Sequence, residues 1–437
     1  MNAQTLKEAL LSGAFDASLT GLYGSEKLSY ARERCIRVVD GYLKIFGDRE
    51  EIRLFSSPGR VEITGNHTDH NRGLALAGAV GVDILAAVAK SGENVIRIKS
   101  EGREQDNVSL DNLSPREEEY THSASLIRGV AADFAAKGRE IGGFTAYTVS
   151  DVPKGSGLSS SAAFEVLTGC ALNCLYNGGS VSPAEIARSA QYAENVYFGK
   201  PSGLLDQMAC AVGNIVRLDF KDPEKVEVRP VKLDLQKAGY RLMIVSVGHG
   251  HADLTDEYAA IPAEMKAAAA LFGQEFLRGI RYEQLIEKAP EIREKCGDRA
   301  FLRAIHFVTE NERVDTAARA IEEKNIPLFL EQLNASGDSS ALCLQNIYPA
   351  SDPAHQGVTV GLAAARRLIG KDGACRIHGG GFGGTMLAIL PEEKREAFTG
   401  VMEQLFGKGC CFPLVFREGA KELTIGPINH GILIKKV

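Results

Sequence analysis

Residues 153–163 read PKGSGLSSSAA, and the residue types in that run suit a bound phosphate. Gly155 and Gly157 let the backbone turn tightly and approach a ligand closely. Three consecutive hydroxyls, Ser159, Ser160 and Ser161, add donors to phosphate, and one of them could serve as an oxygen ligand for a magnesium ion (Mg2+). The run follows the alternating, strand-like stretch 144–149 and precedes 164–176, whose apolar residues recur at helical spacing. A helix starting there contributes unsatisfied N–H groups and the positive end of its dipole. No Gly-Lys-Ser/Thr closes the loop, and Gly155-x-Gly157-x-x-Ser160 lacks the third glycine of a dinucleotide fingerprint, so neither familiar phosphate signature applies. A plain Gly/Ser connector is the competing reading.

Two other stretches carry chemistry. Residues 60–73, RVEITGNHTDHNRG, crowd Arg60, Asn66, His67, Asp69 and His70 onto what reads as one loop, more polarity than a simple turn requires. In SGLLDQM, Asp206 sits among Leu204, Leu205 and Met208, so it is either a helix cap near Gly203 or a working carboxylate. A third stretch, His378 to Gly384, holds five glycines in seven residues. Such a run lets backbone pass hard against a ligand or another loop; a glycine-rich hairpin turn is the alternative.

The elements that must position these groups are partly legible. Residues 1–50 repeat apolar positions at helix spacing, Ile52 to Phe55 reads as a strand broken by Ser56-Ser57-Pro58-Gly59, and 74–82 is a long apolar run. Ser182-Pro183-Ala184-Glu185 supplies an N-cap, a first-turn proline and a capping-box glutamate; the helix it opens contains Glu194 and stops near Gly199-Lys200-Pro201. Further helices are expected over 257–280 and 312–334, the latter interrupted at Ile326-Pro327, and strands over 242–247, 374–377 and 385–390. At 437 residues the chain is long for one core, so two domains are expected, 1–240 and 241–437.

A formal charge of −6 argues against a nucleic acid or an anionic membrane as the main partner. The nine cysteines show no CxxC pairing, which disfavours a zinc site or a disulfide framework and fits a reduced compartment. The first residues lack the layout of a secretory signal, and no apolar run reaches the length of a membrane span. A cytoplasmic protein, expected to act as a monomer, is the reading.

Taken together, the three motifs resemble those of the galactokinases, members of the GHMP family of small-molecule kinases. PGRVNLIGEHTDYN of that family stands here as PGRVEITGNHTDHN at 58–71, PxGxGLSSSA is present at 153–162, and GGGFGG at 379–384. AENVYFGKPSGLLDQM at 193–208 looks like the segment holding the family's catalytic aspartate, and FVTENERV at 307–314 like a helix of its second domain. The resemblance implies an α+β fold of two domains, the first like the second domain of a ribosomal protein and the second ferredoxin-like, with the site between them.

It also implies phosphoryl transfer from ATP to the anomeric hydroxyl of galactose. Gly155, Ser156, Gly157, Leu158, Ser159, Ser160 and Ser161 would hold the nucleotide, and Ser161 and Glu194 would share magnesium. Asp206 would be the catalytic aspartate with Arg60 beside it, and Asn66, His67, Asp69, Gly203 and Tyr258 would border the sugar. Two departures stand out. The family's glutamate that reads the far end of the sugar is Asn66 here, and its asparagine at the motif's fifth position is Glu62. A neutral amide is a weaker acceptor, which predicts relaxed choice at the sugar's sixth carbon and a tighter site on Asn66→Glu; the alternative is that Glu62 or another side chain has taken over the contact, making Asn66 a structural loop residue. The chain has no tryptophan, so the adenine contacts stay unassigned.

Two rivals remain at this stage. His249-x-His251-x-Asp253 and His67-x-Asp69-His70 have ligand-like spacing for a metal-dependent hydrolase. A sensor that binds sugar and ATP without reacting is the other.

Overall fold

The computed structural model describes residues 1–153, 157–200, 202–222, 225–248 and 254–426. Three helices, Ala3–Leu11, Asp16–Tyr23 and Leu28–Phe46, open the chain as the spacing predicts. Strands β1 (Arg53–Thr64), β2 (Leu74–Lys90), β3 (Val95–Ser100), β4 (Gln105–Ser109), β5 (Phe144–Ser150), β6 (Ile215–Asp219) and β7 (Glu227–Val231) build a first sheet. A second sheet takes β8 (Tyr240–Ser246), β9 (Ala374–Ile377), β10 (Thr385–Pro391) and β11 (Cys411–Leu414), and β12 (Lys421–Leu423) returns to the first. The first sheet runs β12-β1-β2-β5-β3-β4, with β6 and β7 branching from β2.

The second sheet runs β11-β8-β10-β9 with antiparallel pairing throughout. That is the order last, first, third, second, the ferredoxin-like arrangement that the resemblance implies. The division expected after residue 240 falls at the head of β8, whereas β12 crosses back to pair with β1.

Both faces of the first sheet are covered, which explains why β2 reads as a near-continuous apolar run. The N-terminal helices pack Leu19, Val38, Val39 and Tyr42 against Leu54, Leu85 and Ala87 on one face. On the other, a continuous core joins Ile215 and Leu218 to Leu242, Ile244, Leu387 and Ile389 of the second sheet. Asp83 on β2 fastens three distant stretches, accepting from Arg34 and Arg417 at 2.9 Å each and from the Tyr23 and Ser56 hydroxyls. Burial would raise its pKa, but the two guanidinium groups outweigh that and hold it below the ordinary carboxylate value.

Two expectations change. Ser56 to Gly59 does not break the strand: β1 runs through it, and a register shift against β2 between Pro58 and Gly59 accommodates the missing proline N–H. Arg60 therefore lies on a strand and not on the loop with Asn66 and His67. The helix expected over 257–280 is Thr255–Ala270, stopped where Gly273 takes a left-handed conformation at φ 68°. Around 312–334 the expected interruption at Ile326-Pro327 is present: two helices, Asp298–Glu322 and Ile326–Ser339, meet there, the second capped by Asn325 with its proline in the first turn.

Candidate active site

A second register shift, between Glu62 and Thr64, leaves Arg60 to Glu62 as a short stretch bounded by irregularities at both ends. Val61 is buried in the core, while Arg60 and Glu62 flank it on the other face of the strand. Arg60 grips Asp206 with two parallel bonds, Nε to Oδ1 and Nη2 to Oδ2, both 2.7 Å. Its Nη1 donates to the Gly157 carbonyl, and its backbone N–H to the Leu158 carbonyl at 3.1 Å. One arginine thus joins the first motif, the serine loop and the aspartate segment.

Asp206 is the second residue of the helix Leu205–Val212 and does not cap it: Leu204 holds the N-cap position, with no side-chain bond to the helix. The carboxylate turns instead to Arg60 and accepts a further bond from the Ser159 hydroxyl. Dense protein around it raises its pKa, but Arg60 and Ser159 more than offset this and hold it below the ordinary aspartate value. Its side chain still opens onto a cavity, with 31% of its surface exposed.

Gly155 and Ser156 lie outside the described residues. Gly157 is left-handed at φ 68°, and a Cβ there would stand 3.2 Å from His378 Nδ1 and 3.3 Å from Thr385 Oγ1, so the loop passes close to the β9–β10 hairpin. Leu158 is buried, and Ser159, also left-handed, precedes the helix Ser160–Tyr176 without a side-chain cap bond, leaving the N–H groups of that first turn without the usual side-chain partner. The Ser159 hydroxyl is engaged by Asp206. Ser161 Oγ lies 3.1 Å from Glu194 Oε1. Glu194 sits in a π-helical turn, Ala193–Tyr197, extending the helix Pro183–Tyr192, whose capping box is formed as expected.

Lys200, Ser202 and Gln207 also donate to Glu194, at 2.8, 2.6 and 2.8 Å. Behind it Glu165 is fully buried, and burial, then the charge of Glu194, raises its pKa well above the usual range. A hydroxyl and a carboxylate side by side at the start of a helix form a hard-oxygen set that fits magnesium.

A cavity of about 250 Å³ gathers Asn66, His67, Asp69, Gly203, Asp206 and Tyr258, all expected at the site, with Glu62, His70, Lys200, Ser202 and Gly380. A larger cavity, about 750 Å³, lies elsewhere among Leu233, Leu235, Leu242, Ile326 and Phe416 with three lysines, and holds none of these residues. His67, left-handed at φ 56°, places Nε2 2.7 Å from the Gly380 carbonyl, and burial lowers its pKa to about 4, so the imidazole is neutral. Among the described residues no cluster of three metal-binding groups occurs. The His249 to Asp253 run lies outside the described residues. A Cβ on Gly203 would collide with the Asp69 carboxylate, so only glycine admits that approach. Tyr258 donates to the Gly381 carbonyl at 3.0 Å and packs edge-on against Phe382.

The GGGFGG run therefore serves another loop: its carbonyls hold Asn66, His67 and Tyr258. The FVTENERV helix clamps the same loop from behind. Glu310 accepts from Gly65 N at 2.8 Å, Asn311 from Leu74 N at 2.6 Å, and His306 Nε2 meets the Asn66 carbonyl at 2.9 Å.

Asn66 departs from its expected role as a sugar reader. Its Nδ2 donates to Glu62 Oε1 at 2.8 Å and to the Gly379 carbonyl at 2.7 Å, while its Oδ1 accepts from Asn346 at 2.7 Å and Ser340 at 3.5 Å. Both donors are spent, and the side chain is fully buried. Sequence reasoning also missed Lys200, read only as part of a helix stop, and Ser202; Glu62, the alternative to Asn66, lines the cavity.

Comparison with known proteins agrees with this geometry. Residues 125–214 match the model for the GHMP kinases N terminal domain, and residues 40–90 the galactokinase galactose-binding signature. A galactokinase of Streptomyces coelicolor is 32% identical over 403 residues, covering 89% of this chain and 98% of the relative. One from Actinobacillus pleuropneumoniae is 32% identical over 356 residues, covering 80% and 88%. The solved galactokinase of Lactococcus lactis, in complex with galactose, superposes with a TM-score of 0.73 at 25% identity over 89% of this chain and 98% of that one. Mevalonate kinase of Methanococcus jannaschii, at 16% identity and a TM-score of 0.60 over 85% of this chain and all of that one, shares the fold. With the first motif, the aspartate segment and the glycine run lining one cavity, the serine loop bonded to Arg60 and Asp206 beside it, and its relatives matched nearly end to end, the chain belongs to the galactokinase family of GHMP kinases.

Proposed function

We propose that the protein transfers the γ-phosphoryl group of ATP to the anomeric hydroxyl of galactose. The observation that carries this reading is the doubly bonded Arg60–Asp206 pair, placed between the serine loop and the cavity lined by His67 and Asp69. An ionised Asp206 accepts the proton of the attacking hydroxyl, and Arg60 steadies negative charge as the new bond forms. Asp69, acceptor-only, orients sugar hydroxyls, and neutral His67 is fixed by the Gly380 carbonyl. Gly157 to Ser161 and the start of the following helix receive the nucleotide's phosphates. Magnesium held by Ser161 and Glu194 would neutralise phosphate charge.

The intact Arg60–Asp206 pair supports transfer over a sensor that binds the same ligands without reacting. All nine cysteines are free thiols, which suits the reducing cytoplasm. Among the described residues no helix is long and apolar enough to cross a membrane. A coupled assay of ADP release with a panel of hexoses tests the reading: galactose-dependent release is expected, and release with no hexose, or with another hexose in its place, overturns it.

A further inference from the structure

We propose that Glu62 selects the sugar, its carboxylate accepting a hydrogen bond from one hydroxyl remote from the reacting oxygen; this rests on the sugar-kinase reading above. Three observations carry it. Glu62 lies two residues beyond Arg60 on the same face of one strand, about 7 Å along it. It lines the same cavity of about 250 Å³ as Asp206, Asp69 and His67. Its hydrogen-bonding capacity is half used. Oε1 accepts from Asn66 at 2.8 Å and from Arg376 Nη2 at 3.3 Å, whereas Oε2 has no partner among the described residues.

The neighbouring amide cannot do this work, because both Asn66 donors and its oxygen are engaged by protein. Asn66 instead positions Glu62, fixing one carboxylate oxygen so that the other points to the ligand. The charges around Glu62 come from Arg376 on β9, Arg60 on β1 and Asp69 on the sugar loop; His378, whose Nε2 lies 3.4 Å from the Glu62 N–H, is held neutral by burial. Burial raises the Glu62 pKa, the two arginines lower it, and the result is about 7. The acceptor is therefore ionised above neutrality and loses its charge as pH falls through it.

The test compares KM for galactose and its 2-, 3-, 4- and 6-deoxy forms in the parent and in Glu62→Gln. Galactose KM should rise about tenfold in the variant with kcat within about twofold, and a single deoxy sugar should show the same KM in both proteins. Equal shifts for every sugar would make Glu62 a purely structural group, and no shift for any would remove it from the site; either overturns the proposal while leaving the kinase reading intact. Transfer to none of these sugars by the parent overturns the kinase reading first. Should Glu62→Gln not fold, the parent alone decides. Galactose KM should climb severalfold from pH 8 to pH 6 while one deoxy sugar stays flat, and parallel profiles for all of them defeat the idea.

Discussion

Two carboxylates on one small cavity each pair with an arginine, yet they end in different charge states. Asp206 meets a guanidinium squarely, with two bonds of 2.7 Å, and takes a third from Ser159. Glu62 meets only one nitrogen of Arg376, at 3.3 Å, because the other terminal nitrogen is spent on the Ile63 carbonyl at 2.6 Å. Burial acts on both acids in the same direction. At Asp206 the paired geometry overcomes it and the acid stays ionised; at Glu62 it does not. Proximity to an arginine does not set a carboxylate's charge by itself; the number and aim of its bonds do. The reacting end is thus held charged at any ordinary pH, and the recognising end is poised near neutrality.

The sharpest way to break this contrast is to neutralise the charged end. Asp206→Asn keeps the shape but removes the proton acceptor, and kcat should fall by about a hundredfold or more while the protein still folds and ATP binding changes little. Near-parent turnover would mean that the paired end only packs. Asn66→Glu attacks the other end. It places a second carboxylate against Glu62 and withdraws the two donors now given to Glu62 and Gly379, so stability should drop by about 3 kcal/mol in denaturant unfolding and galactose KM should rise. This reverses what the sequence alone suggests, and a lower KM with unchanged stability would return the sugar contact to position 66. The mildest test is pH. Asp206, held below its ordinary value of 3.8, becomes protonated only in more acid solution, so kcat should stay level down to about pH 4. The galactose KM should change severalfold near pH 7. Both parameters breaking at one pH would collapse the two ends into one titrating unit.

The phosphate loop, the capped helix at Ser182 and the strands around the glycine run were legible because their signals are local. Each rests on turn chemistry or apolar period within a few residues. The strand character of Arg60 was not, since Ser-Ser-Pro-Gly carries turn signals that pairing with β2 overrides. The saturation of Asn66 could not be read either: one of its partners, Asn346, lies 280 residues along the chain. Likewise Asp206 reads as a cap or a working acid from its neighbours, and only the partner 146 residues away decides between them.

The return of β12 to β1 bears on how the protein is made. Arg53 and Glu422, on adjacent strands, are 369 residues apart, so one edge of the first sheet has no native partner until nearly all of this sequence has been synthesised. At a synthesis rate of about 5–20 residues per second, that edge waits on the order of twenty seconds to a minute beside the ribosome. An open strand edge is a template for pairing with other chains, so the nascent protein passes through a stage in which it depends on shielding until β12 arrives.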